Sequence, residues 1–179
     1  MKPPYSIHLC LVSAQATPNL LPVLDPSWRP QRVVLACSKQ MQEKAQALRR
    51  VMLTKGGGIV VELLDLPDAY DYASLTDAFG DFLGAHEHEA IALNVTGGTK
   101  LMAVAAQEVF RSNNKPVFYV NVENDEALTI GEKAVGHTLR AQLKVHELLA
   151  AHGYHVTVPA QPRVSGPLRD LTARLIDHV

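Results

Sequence analysis

The seven residues NVTGGTK, at positions 94–100, combine the chemical groups that bind an anion at the start of a helix. Two glycines let the backbone approach a ligand closely and expose successive N–H groups. Two threonine hydroxyls add donors, and Lys100 adds a full positive charge. The segment matches neither the GxxxxGK[ST] phosphate-binding loop nor the GxGxxG dinucleotide loop. Taken alone, it is equally typical of a tight turn that binds nothing.

A second polar segment, SAQATPN at positions 13–19, follows the first apolar run of the chain. Taken alone, this segment is weaker evidence for a ligand site than NVTGGTK, because Pro18 with Thr17 as a cap is also typical of an ordinary helix start. In an open parallel sheet, ligands bind beyond the carboxyl ends of the strands, where the strand order reverses. Under the usual order, the first and fourth strands are neighbours there. The two polar segments are therefore expected to face one crevice.

The elements that would position these segments follow from hydrophobic patterning. Continuous rather than alternating apolar runs predict strands buried on both faces, and helical spacing after the first four runs predicts a parallel sheet covered by helices. The fold class is therefore α/β, a Rossmann-like doubly wound sheet with a C-terminal hairpin and linker helix. We predict strands at 6–13, 32–38, 59–66, 90–95 and 116–122, helices within 17–30, 39–58, 71–88, 99–116 and 138–156, and a hairpin turn near Asn124 and Asp125.

Composition excludes several classes of protein. The 179 residues carry a net charge of -1, which does not fit the broad basic face of a nucleic-acid-binding protein. No apolar run approaches the roughly 20 residues that span a bilayer, and the N-terminus lacks the pattern of a signal peptide, so a cytoplasmic protein is expected. Cys10 and Cys37 lie in apolar runs and are expected to be buried free thiols. The HEHE segment at 86–89 is more typical of a solvated surface than of a metal site.

Three segments in order, SAQATPNLLPVL, NVTGGTKLMAVAA and LKVHELLAAHGYHV, make the chain resemble the CARF family, the CRISPR-associated Rossmann-fold sensors, over roughly residues 5–155. It looks most like the N-terminal sensor domain of type III CRISPR nucleases that cyclic oligoadenylates activate. The resemblance implies a homodimer that binds one ring across its two-fold axis, with cyclic tetra-adenylate favoured over the hexa-adenylate. Such a ring suits an isologous site, in which each protomer offers the same donors.

The resemblance also divides the chain into a sensor domain at 1–136, a connecting helix and short extension at 137–158, and a linker at 159–179 that begins a tail or an effector domain. It implies allosteric control of a C-terminal nuclease that is absent from this chain and would require Mg²⁺ or Mn²⁺. For the chain itself we expect no catalytic residue, no metal or cofactor, no membrane and no direct nucleic-acid binding.

Ligand-binding candidates are carried over by position from the two polar segments and from the ends of neighbouring strands. The main candidates are Gln15, Thr17, Asn19, Thr96, Gly97, Gly98, Thr99 and Lys100, and the weaker ones are Ser13, Ser38, Lys39 and Asn121. Three alternatives stay open. They are a sensor that slowly cleaves the ring through in-line attack by a ribose 2′-hydroxyl, a sensor that regulates transcription, and a mononucleotide-binding α/β domain.

Overall fold

Five largely apolar runs form the first five strands of one seven-stranded sheet. The structure is a computed structural model, and it describes residues 4–131, 135–155 and 157. A single 3₁₀ turn (Lys39–Met41) precedes the second helix. The strands are β1 (Ile7–Leu11), β2 (Arg32–Cys37), β3 (Val60–Asp65), β4 (Ile91–Asn94), β5 (Val117–Asn121), β6 (Glu126–Ile130) and β7 (Val135–Thr138), and the helices are α1 (Thr17–Leu24), α2 (Gln42–Lys55), α3 (Tyr72–Ala85), α4 (Lys100–Ser112) and α5 (Val145–Ala151).

The strand order is β3-β2-β1-β4-β5-β6-β7, with β1 to β5 parallel and the last two strands antiparallel. β1 pairs directly with β4, and Cys10 lies opposite Asn94 at the carboxyl end of the pair. The predicted α/β fold class is therefore confirmed, and so is the predicted position of the switch point. The polar segments after β1 and β4 leave the sheet side by side.

Helices cover both faces of the sheet. On one face, Leu9 packs with Phe79 of α3 and with residues of α4. On the other face, Cys10 and Cys37 pack with Leu48 of α2 and with residues of α1 and α5. Both cysteines are buried free thiols, as predicted, and burial raises their pKa values to about 12 and about 11. None of the helices in the described ranges is long and apolar enough to span a membrane.

The predicted hairpin is present, because β5 and β6 pair as antiparallel strands around a turn in which Asp125 adopts a positive φ of 47°. The helix predicted from 138 and ended by Gly153 is present as α5, but its predicted start is wrong. Thr138 belongs to β7, and the chain stays non-helical until Val145. The predicted boundary between the sensor domain and the connecting helix, at 136/137, falls inside β7. The predicted linker at 159–179 lies outside the described residues.

Long-range hydrogen bonds explain why this helix begins late. The N–H of Leu139 donates to the carbonyl of Asp125 at 2.6 Å, and the N–H of Arg140 donates to the carboxylate of buried Asp25 at 2.6 Å. Burial raises the pKa of Asp25, but hydrogen bonds from Ser27, Arg140 and Trp28 outweigh it and hold that pKa below its ordinary value. These hydrogen bonds therefore hold the start of the segment after β7 in a non-helical path.

Candidate ligand-binding site

The two polar segments touch at Gly97. A Cβ atom added to this residue would lie 2.0 Å from the carbonyl oxygen of Leu11, the last residue of β1, which is far inside van der Waals contact. Gly98 follows with a φ of +74°, a conformation that a residue with a Cβ rarely adopts. The glycine pair is therefore required by the close approach of the loops and by the turn into α4.

Two buried asparagines join the loops beneath their surface. Asn94 at the end of β4 donates through Nδ2 to the carbonyl of Pro18 at 2.9 Å and to Oδ1 of Asn19 at 3.1 Å. Asn19 in turn donates to the carbonyl of Leu11 at 2.9 Å. Both side chains are completely buried. The structure thus places Asn19, a predicted ligand contact, under the loops, where its amide hydrogen-bonds within the protein.

The two threonine hydroxyls of the β4 loop are also engaged within the protein. Thr96 Oγ1 donates to Oδ1 of Asn94 at 2.7 Å and accepts the N–H of Val120 at 2.7 Å. Thr99 is the N-cap of α4; its Oγ1 accepts the N–H of Met102 at 3.2 Å and donates to the carbonyl of Ala69 at 3.2 Å. These hydroxyls hold β4, β5 and α4 together, so they do not provide free donors.

Backbone groups and one lysine provide the free donors of the loop. In the part of the chain that the structure describes, the N–H groups of Gly97, Gly98 and Lys100 have no protein acceptor. They precede or begin α4, whose dipole favours an anion at this end. The Lys100 side chain is exposed beside them. Of the predicted donors, the amides and the lysine therefore lack a protein acceptor, whereas the two hydroxyls bond within the protein.

A cavity of about 600 Å³ opens on the β5 side of the loops, and we call it the β1–β5 cavity. It brings together the predicted residues Gln15, Thr17, Thr96 and Asn121. Ser13 is not among the lining residues, and its hydroxyl accepts the N–H of Gln15 at 3.3 Å. The full lining consists of Gln15, Ala16, Thr17, Pro18, Thr96, Tyr119, Val120, Asn121, Val122, Glu123, Leu148 and His152.

Sequence reasoning missed three polar residues of this cavity, namely Tyr119, Glu123 and His152. Tyr119 and Glu123 are each two residues from Asn121 at the end of β5, and this closeness in sequence to a predicted residue could have identified them. His152 follows α5 and reaches the cavity only because α5 packs back onto α2. That tertiary contact has no local signature in the sequence.

The remaining predicted residues lie on the opposite side of the loops. Ser38 and Lys39 line a cavity of about 420 Å³ together with Tyr70. Tyr70 also borders a shallow surface shared with Thr99 and Lys100. The structure therefore separates the candidates into a neutral group on the β5 side and a group with two lysines on the β2 and β3 side. A further cavity, between α2 and α5, contains none of them.

Comparisons with known proteins point to one family. A family model described as the Card1 CARF domain matches residues 7–148. Can2 from Sulfobacillus thermosulfidooxidans, solved in complex with cyclic tetra-adenylate, is 29% identical with a TM-score of 0.76, over 88% of this chain and 44% of that one. No curated protein matches the chain.

Two more distant structures share the fold alone. Protein VC1899 from Vibrio cholerae is 18% identical with a TM-score of 0.75, over 81% of this chain and 38% of that one. A type III CRISPR defence DNA nuclease activated by cyclic oligoadenylate is 19% identical with a TM-score of 0.70, over 99% of this chain and 28% of that one. The chain spans less than half the length of each of these solved proteins.

Proposed function

The chain belongs to the CARF family, and from that premise we propose that it is a receptor domain for a cyclic oligoadenylate in type III CRISPR defence, with cyclic tetra-adenylate favoured. One observation carries the proposal. The amides of Gly97, Gly98 and Lys100 have no acceptor within the described protein, and the Lys100 side chain lies beside them. Can2, which was solved with cyclic tetra-adenylate, supports the choice of ring.

We further propose that two copies of the chain share one ring. The surface next to Lys100 is apolar, since Tyr70 is 75% exposed and Val104 is 55% exposed. Covering these side chains with a second copy would remove apolar surface from water and would bring two Lys100 side chains to the same ligand. A ring with repeated phosphates suits such a two-fold site.

The contacts of α5 support an allosteric role for the proposed receptor. Leu148 and His152 line the β1–β5 cavity, so a ligand there would touch this part of the chain. The same segment is held on α2 by an ion pair between Lys55 and Glu147 and by a hydrogen bond from Lys44 to the carbonyl of His152 at 3.0 Å. We propose that ligand binding acts on an effector domain through this segment. That effector would be the metal-dependent nuclease that the resemblance implies.

Isothermal titration calorimetry with cyclic tetra-adenylate tests binding and the number of rings per chain. Size-exclusion chromatography with light scattering measures the oligomeric state. The expected result is a dimer that binds one ring for every two chains. AMP and ATP serve as comparison ligands, because a mononucleotide-binding domain would bind one of them once per chain. Folded protein that shows no heat with cyclic tetra-adenylate or cyclic hexa-adenylate at micromolar concentration would refute the proposal.

We propose that this chain leaves the ring intact. Of the three candidates for stabilising charge at an in-line attack, Thr96 and Thr99 already donate their hydroxyls to Asn94 and Ala69, which leaves Lys100. Chromatography of the ring after long incubation is the corresponding check. Intact ring is the expected result.

A further inference from the structure

The β1–β5 cavity differs in charge from the rest of the candidate site. Among its described lining residues there is no lysine or arginine, and Glu123 contributes a carboxylate. A phosphate placed there would meet a like charge with no lysine or arginine of the described lining to compensate it. The cavity lies directly beside the β4 loop, whose free amides suit a phosphate. Its chemistry therefore calls for an uncharged part of the same ligand.

The polar groups of this cavity suit the edge and face of a nucleobase. Oδ1 of Asn121 accepts the N–H of Glu123 at 3.2 Å, which leaves Nδ2 of Asn121 to donate to a ligand. The Glu123 side chain lines the same cavity and supplies a carboxylate acceptor. Tyr119, which is 45% exposed, offers an aromatic face, and Pro18 and Leu148 offer apolar walls. A volume of about 600 Å³ lies within the range of about 300–1,000 Å³ that is usual for small-molecule sites.

A donor next to an acceptor distinguishes adenine from the 6-oxo purines. Adenine presents the N6 amino group as a donor and N1 as an acceptor. Guanine and hypoxanthine present the reverse pair, an O6 acceptor and an N1–H donor. Adenine that meets both Asn121 Nδ2 and the Glu123 carboxylate would make two hydrogen bonds, whereas hypoxanthine in the same position would place acceptor against acceptor and donor against donor.

We propose that the β1–β5 cavity takes one adenine base of the ring and that Asn121 and Glu123 select adenine by its Watson–Crick edge. The inference rests on the proposed function. It assigns specificity to side chains at the end of β5, of which Glu123 is not among the residues suggested by the family resemblance. It also assigns the phosphates to the other side of the β4 loop.

The test compares cyclic tetra-adenylate with cyclic tetra-inosinate, which has the same ring size and charge but carries hypoxanthine. The wild-type chain is expected to bind the adenine ring about 5- to 150-fold more tightly, the discrimination that a paired donor and acceptor provide. Glu123→Gln replaces the carboxylate with an amide that can rotate to donate or accept. This variant is expected to reduce the preference to within about threefold.

Glu87→Gln is the matched control, because Glu87 is an exposed glutamate between α3 and β4, at the opposite end of the strands. It should keep the wild-type ratio. Glu123→Ala provides a second removal of the carboxylate if the glutamine variant unfolds at a lower temperature than wild type. An unchanged preference in folded Glu123 variants, or equal binding of both rings by wild type, would overturn the base assignment. Failure of folded wild type to bind either ring would overturn the proposed function and this inference with it.

Discussion

Replacing Asn94 with alanine would remove the main connection between the two loops of the site. Its buried side chain makes four hydrogen bonds, two as donor to Pro18 and Asn19 and two as acceptor from the N–H and hydroxyl of Thr96. No other described side chain bonds to both loops in this way. We therefore expect Asn94→Ala to destabilise the whole protein, with the two loops of the site as the region most directly affected.

The magnitude follows from which partners can reach water. Thr96 is part-buried, so its two donors can be partly solvated, at a cost of about 0.5–1.5 kcal/mol for each lost bond. Asn19 and Pro18 are buried and lose their donor without replacement, and an unsatisfied buried acceptor costs about 1–3 kcal/mol. Together these losses come to about 3–9 kcal/mol, and because neighbouring hydrogen bonds are not additive and the loops can relax, we expect the lower end, about 3–5 kcal/mol, in the free energy of unfolding.

Urea unfolding, followed by the fluorescence of the single tryptophan Trp28, measures this loss. A double-mutant cycle with Asn19→Ala isolates the direct bond between the two amides, and a coupling of about 0.5–3 kcal/mol is expected. Asn124→Ala is the control, because Asn124 is exposed in the β5–β6 turn, and it should change stability by less than about 0.5 kcal/mol. A loss below about 1 kcal/mol for Asn94→Ala, or a coupling of zero, would refute the role assigned to the pair.

Three further predictions address the loop, the ligand and pH. Gly97→Ala should lose about 1–3 kcal/mol of stability in urea, because its Cβ meets a β1 carbonyl at 2.0 Å, whereas Gly84→Ala, in open space on α3, should gain about 0.5–1 kcal/mol. Lys100→Ala should weaken binding of cyclic tetra-adenylate in calorimetry by about 1–3 kcal/mol, and Arg111→Ala, about 16 Å away along α4, should not. Burial lowers the pKa of His8 to about 3, so as pH falls from 7.5 to 5.5 the unfolded state, with a pKa of about 6.5, takes up the proton and stability falls by about 1.4 kcal/mol. His8→Leu should lack that part of the pH dependence, and an equal slope in both proteins would contradict it.

The parallel part of the sheet could be predicted from sequence because its central strands are buried on both faces. Runs such as 32–38 and 90–95 contain almost no polar interruption, and helices of the usual length separate the strands. Once five parallel strands are recognised, the usual order places β1 beside β4, and the structure has that pairing. The position of the two polar loops then follows without any knowledge of side-chain contacts.

The path after β7 could not be predicted, because distant residues determine it. The pattern from 138 onward is compatible with a helix, but β7 pairs with β6 as far as Thr138, and Asp25 captures the N–H of Arg140. The helix begins only where the N–H of Lys144 finds the carboxylate of Glu147 at 3.0 Å. Tertiary hydrogen bonds thus override a local helical preference, which was the only information available from the sequence.

The roles of Asn19, Thr96 and Thr99 show the same limit within the site. Sequence identifies them as hydrogen-bonding residues in ligand-facing segments, but it does not show which partner each one finds. Their partners are Asn94, Val120 and Ala69, all contributed by other elements of the fold. Polar residues near a site that are buried on folding are more often satisfied by the protein itself.

Because the hydroxyls of Thr96 and Thr99 bond within the protein, the β4 loop meets a ligand through backbone amides and Lys100. Amides such as those of Gly97 and Gly98 bind phosphate oxygens of any nucleotide, and so does Lys100, so the β4 loop cannot by itself distinguish one oligonucleotide ring from another. Selectivity among rings of equal size and charge must come from side chains that meet the bases. The β1–β5 cavity lies beside this loop and contains donors and acceptors, and its described lining has no lysine or arginine. Affinity and base selectivity should therefore respond to different substitutions, with Lys100 controlling the first and Glu123 the second.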